Sequence, residues 1–334
     1  PFASFSMSLK DKLRLYERAA GPAPVVPAES TLREMGGSLI QTEHGPLWRF
    51  DAVYPIDDAR ISALRAAMPA LLHHTGAKPV ELEHLLFFDL ETTGLSGGTG
   101  TYPFLTGIGY FHEGALRIEQ YLMDDYARER TILSHLAPVF RGANALVAFN
   151  GKTFDLPLIK NRYRLNRVSG FPVDLPVIDL LYPCRRLFKR LYGSCTLKSM
   201  EENLLGVHRA DDIPGWEIPD VFFSFQRYGE TGRLPNVIEH NRTDVYSMFT
   251  LVESLGRIFH ALSGGRYADI EPRILPRIAH YLYATDLASF LETAALVHDE
   301  LRTDRLLFKK YCTALKRSGR IGEALRFWKG DPSI

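Results

Sequence analysis

Cysteine is scarce: Cys184, Cys195 and Cys312 are the only three in 334 residues. An odd number without metal-type spacing gives no disulfide framework and no cysteine-based zinc site, and predicts reduced, partly buried thiols. No charge of one sign dominates, because 40 Lys and Arg face 39 Asp and Glu for a net +1. The molecule as a whole is therefore not a polycation that coats nucleic acid. Long apolar runs are also missing. None approaches the roughly 18–20 residues of a membrane helix, and the amino-terminal stretch lacks a charged-then-apolar secretory pattern. A cytoplasmic protein outside the membrane is the expectation. With 46% hydrophobic and 24% charged residues the chain reads as globular, and its length predicts a substantial core plus extra elements.

The most informative stretch is Phe87-Phe88-Asp89-Leu90-Glu91-Thr92-Thr93-Gly94. An apolar strand over 85–88 delivers two carboxylates one residue apart before the chain turns at Gly94. Side chains in a strand alternate, so Asp89 and Glu91 share a face, which is costly unless cations sit between them. An isolated Asp-x-Glu usually decorates a wet strand end, but four preceding apolar residues indicate a buried central strand. Two other segments add acids. In the first, Leu146-Val147-Ala148-Phe149-Asn150-Gly151 is a short strand and turn, and Asp155 follows where a helix can begin. The second, His240-Asn241-Arg242-Thr243-Asp244, opens a predicted helix through 255, and its four-residue spacing puts His240 and Asp244 on one face.

Together these segments resemble the DEDD exonuclease superfamily, whose RNase H-like domain gathers an Asp and a Glu from a first motif and one Asp from each of two later motifs. Asp89 and Glu91 match the first motif, Asp155 the second and Asp244 the third. Within that superfamily the chain is most similar to the YprB-type RNase H-like group, through Asp179-Leu180-Leu181, Ser194-Cys195-Thr196-Leu197-Lys198, Asp211-Asp212-Ile213-Pro214-Gly215 and His240-Asn241. The third motif departs from both common forms, since a His stands four residues before the Asp. The resemblance implies a metal-dependent 3′–5′ exonuclease with two ions, Mg²⁺ or Mn²⁺, about 3.5–4 Å apart and held by oxygen ligands. It implies that Asp89 bridges both ions, that Glu91 and Asp244 hold the nucleophile-side ion, and that Asp155 serves the other. His240 then either accepts a proton from the attacking water or orients it.

Substrate contacts are read more weakly. Asn150 either bonds the substrate backbone or closes its turn. Between Lys160 and Lys198 lie nine basic residues against two acidic ones. Phe154, Tyr163, Phe188 and Tyr192 are interspersed with them, the composition of a single-strand channel, although core aromatics beside a solvated basic face fit as well. Lys160, Arg164 and Lys198 are the candidate contacts. Asp179 reads as a helix-capping acid outside the metal set. The glycine-rich 96–101 stretch lacks the Lys-Ser/Thr ending of a P-loop, so it is either a permissive connection or a backbone contact to substrate.

Element order predicts an α/β fold, an RNase H-like mixed sheet. After the first motif come two apolar runs joined by His112-Glu113-Gly114, a hairpin signal, and then alternating helices and strands. Residues 1–80 read as an appendage of a helix and a β-hairpin packed beside the sheet. Residues 81–260 form the nuclease domain, and 261–334 form a helical region with one tetratricopeptide-like pair over 306–328. One such pair cannot stand alone, so it caps the nuclease or, as a second reading, binds a protein partner. Nucleic acid, as a single strand or a 3′ end, is the expected substrate. A structure-specific endonuclease and a non-catalytic scaffold are the alternatives.

Overall fold

The structure is a computed structural model that describes residues 29–94, 100–172 and 174–329. The helix expected near residues 9–20 and most of the glycine-rich 96–101 stretch lie outside them. The described chain opens with α1 (Glu29–Glu34), β1 (Ser38–Thr42), β2 (Gly45–Pro55) and α2 (Asp58–Thr75). Asp57 starts α2 by accepting the Arg60 N–H, and Gly76, left-handed at φ 71°, ends it. An antiparallel meander follows: β3 (Leu85–Thr92), β4 (Pro103–His112) and β5 (Ala115–Leu122). Its predicted β4–β5 turn is made by Glu113 and Gly114, both at positive φ, the geometry that suits the twist of paired strands.

Helix and strand then alternate through α3 (Glu129–Gly142), β6 (Ala145–Ala148), α4 (Asp155–Leu165), β7 (Val177–Asp179) and α5 (Leu181–Tyr192). β6 runs parallel to β3, and β7 parallel to β6. The sheet order is β1-β2-β5-β4-β3-β6-β7. Beyond it come α6 (Leu197–Met200), a wide π-type turn (Glu201–Leu205), α7 (Ile218–Tyr228) and α8 (Leu234–Ser263). The carboxy-terminal helices are α9 (Leu275–Thr285), α10 (Leu287–Leu296), α11 (His298–Thr303), α12 (Arg305–Arg317) and α13 (Ile321–Trp328).

Two expectations change. The hairpin of the 1–80 segment does not pack beside the sheet but continues it, with β2 pairing to β5 from Trp48↔Leu122 to Pro55↔Ala115. Without it, β5 would leave a row of unpaired backbone groups at an edge. The helix carrying His240 starts earlier than expected, at Leu234, with Pro235 in its first turn, where the missing N–H costs nothing. His240 and Asp244 therefore sit within a formed helix and not at its frayed start.

Both faces of the sheet are covered. Leu85 and Phe87 point to α2, α5, α8 and the carboxy-terminal helices. Leu86, Phe88 and Leu90 point to the layer built from α3, α4 and α7. This strict alternation along β3 fixes the direction of Asp89 and Glu91, which share the face of Phe87 and look toward α8. Phe87 meets Phe249 of α8 edge-on at 5.7 Å between ring centroids. The α12–α13 pair turns at Ser318 and Gly319 and buries Tyr311 against Phe327, inside the same core as α2 and α8.

Candidate active site

Three parallel strands, β3, β6 and β7, end on one side of the sheet, and the acids of the first two motifs leave from those ends. Such carboxyl ends are where α/β sheets place their ligands. Asp89 and Glu91 occupy the end of β3, where the β3–β4 register breaks between Glu91 and Thr92. Asp155 is the first residue of α4, after the turn that follows β6. In that turn Asn150 takes a left-handed φ of 67°. Its side chain accepts from the Thr153 hydroxyl at 3.1 Å, so the amide closes the turn. A side chain at Gly151 would meet Cβ of Ala148 at 2.5 Å and Oδ2 of Asp155 at 3.3 Å, which explains a glycine there.

Asp179, at the end of β7, fastens this turn. Its carboxylate accepts the N–H groups of Asn150 (2.8 Å), Lys152 (3.1 Å) and Leu181 (3.1 Å). It therefore caps α5, as expected, and also holds the loop that delivers Asp155.

The third motif arrives from α8, which lies on β4 because that strand presents glycines. A Cβ on Gly107 would come within 2.2 Å of Asn241 Oδ1, and one on Gly109 within 2.6 Å of Val245 Cγ1. Asp89, Gly107 and Gln120 form a row across β3, β4 and β5. Asn241, fully buried, lies over that row: it donates to Asp89 Oδ2 at 2.7 Å and accepts from Gln120 Nε2 at 2.8 Å. One amide thus ties the first motif to the third. Gly107→Ala is expected to cost about 1–3 kcal/mol, the scale of overpacking, because both hydrogen bonds keep Asn241 from moving aside. Urea denaturation checks this, and an unchanged midpoint refutes it.

Charge follows from this convergence. Burial holds the carboxyls of Asp89 and Glu91 well above the usual range, and the neighbouring acids, Asp155 and Asp244 among them, push in the same direction. Asp155 is pushed up to about 7 by burial, with Asp179 and Asp244 adding to it and a backbone hydrogen bond opposing. Burial also raises Asp244, while His240 and Arg209 draw it back down. The four acids predicted from the sequence thus lie near enough for their charges to act on one another. Among the described residues no group of three or more His, Cys, Asp or Glu side chains is arranged so as to hold a metal ion. Two of the four acids are otherwise engaged, Asp89 with Asn241 and Asp244 with Arg209.

Three neighbours, Arg209, Glu201 and Asp212, carry no role in the sequence reading, although Asp212 stands in one of its motifs. Arg209 forks onto Glu201, in the π-type turn, and its Nη2 also donates to Asp244 Oδ1. Asp212 accepts from Nδ1 of His240 at 2.7 Å. Burial opposes ionisation of Asp212, yet the bond and charge of His240, with Arg209 and Lys198, hold its carboxyl below the usual range. A carboxylate can only accept, so Nδ1 of His240 carries the hydrogen and a neutral ring leaves Nε2 with its lone pair. Nε2 lies 3.8 Å from Asp244 Oδ2.

The basic segment is only partly at the site. Lys198 reaches Asp212 at 3.7 Å. Arg162 pairs with Glu129 in the core beneath Tyr102, Arg186 lies over Tyr281, and Tyr163 and Phe188 are buried. Lys160 is half-buried on α4, and Arg164 is exposed nine positions past Asp155, which at 100° per residue is the opposite side of the helix.

Residues 86–256 match the sequence model of the RNase H superfamily, half of the chain. The chain belongs to that superfamily. YprB of Bacillus subtilis (strain 168) is 36% identical over 300 residues, covering 87% of this chain and 70% of that protein. The likeness therefore reaches past the matched domain on both sides. The superfamily is one of nuclease-type domains that act on nucleic acids and generally use divalent metal ions. No helix among the described residues of this RNase H-like protein is long and apolar enough to cross a membrane.

Proposed function

We propose that this RNase H-like protein is a metal-dependent nuclease that hydrolyses phosphodiester bonds from the 3′ end of DNA or RNA single strands. The observation that carries the reading is the convergence of the four acids. Asp89 and Glu91 share a face at the end of β3, Asn241 of the helix that bears Asp244 binds Asp89, and the Gly151 turn delivers Asp155, so that these partly buried carboxyls repel one another. Such a set fits a hard divalent cation: its donors are all oxygens, and the charge that burial makes costly is the charge an ion would neutralise. Asp89, Glu91, Asp155 and Asp244 would hold the Mg²⁺ or Mn²⁺ ions. When bound, the two ions supply Lewis-acid chemistry for the attacking water and the departing 3′ oxygen. The 3′ polarity follows from the likeness of the three motifs to DEDD exonucleases.

The chain's own groups supply the rest. Asn241 fixes the rotamer of Asp89, and Asp179 fixes the loop before Asp155. Asp212 holds the His240 ring so that Nε2 faces the pocket and can take a proton from water. Beside Asp155, Phe154 is 57% exposed, and Tyr182 is 43% exposed with Lys152 Nζ 5.6 Å from its ring. Exposed aromatic faces with a cation suit unstacked bases and their phosphates.

The test is incubation of purified protein with 5′-labelled single-stranded DNA and RNA, and with circular strands, in Mg²⁺, Mn²⁺ or EDTA. A ladder shortening from the 3′ end, dependent on metal and lost in Asp89→Ala, is expected. Cleavage of circles would point instead to an endonuclease on the same site, and no cleavage of any strand overturns the reading. In this assay His240→Ala is expected to lower the single-turnover rate by about 10²–10⁴-fold and to flatten its pH dependence. An unchanged rate and profile would remove His240 from the chemistry.

A further inference from the structure

The arginine within the acidic pocket has more partners than one structural ion pair requires. Glu201 is fully buried, and an unpaired carboxylate there would be costly, so a counter-ion is needed. Arg209, its side chain 7% exposed, meets that need by a fork in which Nε and Nη2 each donate to one Glu201 oxygen. The same Nη2 nevertheless also donates to Oδ1 of Asp244, and Nη1 lies 3.6 Å from Asp212 Oδ1 and 3.4 Å from His240 Nδ1. One guanidinium thus spans the buried Glu201, the third-motif acid and the acid that orients His240. Charge-assisted bonds of this kind are the strong ones. Arg209 thus binds Oδ1 of Asp244, leaving Oδ2 facing His240 Nε2 at 3.8 Å, whereas Asp89 is held by the neutral amide of Asn241.

We infer that Arg209 is a built-in counter-ion and positioning residue of the pocket, competing for Asp244, so that divalent ions load in two unequal steps. The inference rests on the reading of the four acids as ion donors. The first ion would take the Asp89–Asp155 side, where Arg209 makes no hydrogen bond and draws on Asp89 only through space. The second requires Asp244, and it enters as Arg209 withdraws onto Glu201 and Asp212. Arg209 thereby holds the Asp244 rotamer before loading and weakens the second site.

Mn²⁺ binding to the full chain without nucleic acid, followed by the electron paramagnetic resonance signal of free Mn²⁺, tests this. Wild type is expected to bind one ion, with a second at least about tenfold weaker, roughly 1.4 kcal/mol. Arg209→Gln is expected to close most of that gap, Arg209→Lys to retain it, and Asp244→Asn to lose the second step alone. Because Arg209→Gln strands Glu201, the Glu201→Gln/Arg209→Gln pair removes both charges and serves where the single variant fails to fold. Two equal steps in wild type, or a gap unchanged in Arg209→Gln and in the pair, overturn the inference. No uptake above that of Asp89→Asn overturns the ion-binding reading itself, a separate and recognisable failure.

Discussion

Asp89→Asn is expected to reduce strand hydrolysis by on the order of 10³-fold or more, the scale of losing a preorganised electrostatic contact, while raising the melting temperature of the protein in EDTA. Asp89 feels the charges of Asp244 and Asp155, and Asn241 binds it. An amide has almost the same shape and can still accept from Asn241. It carries no charge, so the burial penalty and the repulsion both disappear. The two readouts move in opposite directions, which separates a lost function from a damaged fold. Calorimetry in EDTA beside the labelled-strand assay decides it: normal activity refutes the role, and a lower melting temperature refutes the electrostatic account.

The second large effect concerns pH. Asp155 titrates near 3.8 in an ordinary setting and at about 7 in the folded protein. Between those values the folded protein keeps a proton that the unfolded chain has released. Its share of stability is therefore present below about pH 4, falls as pH rises toward 7, and is lost above that. Asp89, Glu91 and Asp244 are displaced in the same direction. His74, whose imidazole burial pushes down to about 4, works in the opposite sense between about 4 and its ordinary 6.5. The informative quantity is thus the difference between wild type and Asp155→Asn in urea titrations from pH 5 to 8 in EDTA. Asp155→Asn is expected to gain on wild type as pH rises, by up to a few kcal/mol, since a tenfold change in proton affinity is worth about 1.4 kcal/mol. Mn²⁺ at 100 times its dissociation constant is expected to return about 2.7 kcal/mol to wild type. A difference independent of pH, or no stabilisation by Mn²⁺, would contradict this.

What could be read from the chain was mostly local. Alternation along 85–91 gave the face of Asp89 and Glu91, and the Gly151 turn put Asp155 at a helix start. Two signals were present but underused. Pro235 marks the true start of α8, and Asp179 follows an apolar pair at a strand end, where its oxygens collect backbone N–H groups from two segments. Other features depend on contacts distant in sequence. Arg162 stands in a basic run yet pairs with Glu129, 33 residues away. Of the adjacent Asp211 and Asp212, the one that reaches His240 is set by Asp211's left-handed φ of 55°, which turns the chain. Arg209 carries no periodic signal, because its partners come from a π-type turn and from the middle of α8.

The helices beyond Ser263 do more than follow the RNase H-like domain. Phe259 and Leu262 of α8 lie in one continuous apolar interior with Ile278, Leu282 and Phe290, and His74 of α2 stacks on Phe259 while meeting the Tyr281 hydroxyl at 2.7 Å. A shortened version ending at α8 would turn that interior out to water along the very helix that carries Asn241 and Asp244. Trimming the protein to its RNase H-like domain would therefore loosen the third motif, and sheet and cap are expected to melt together.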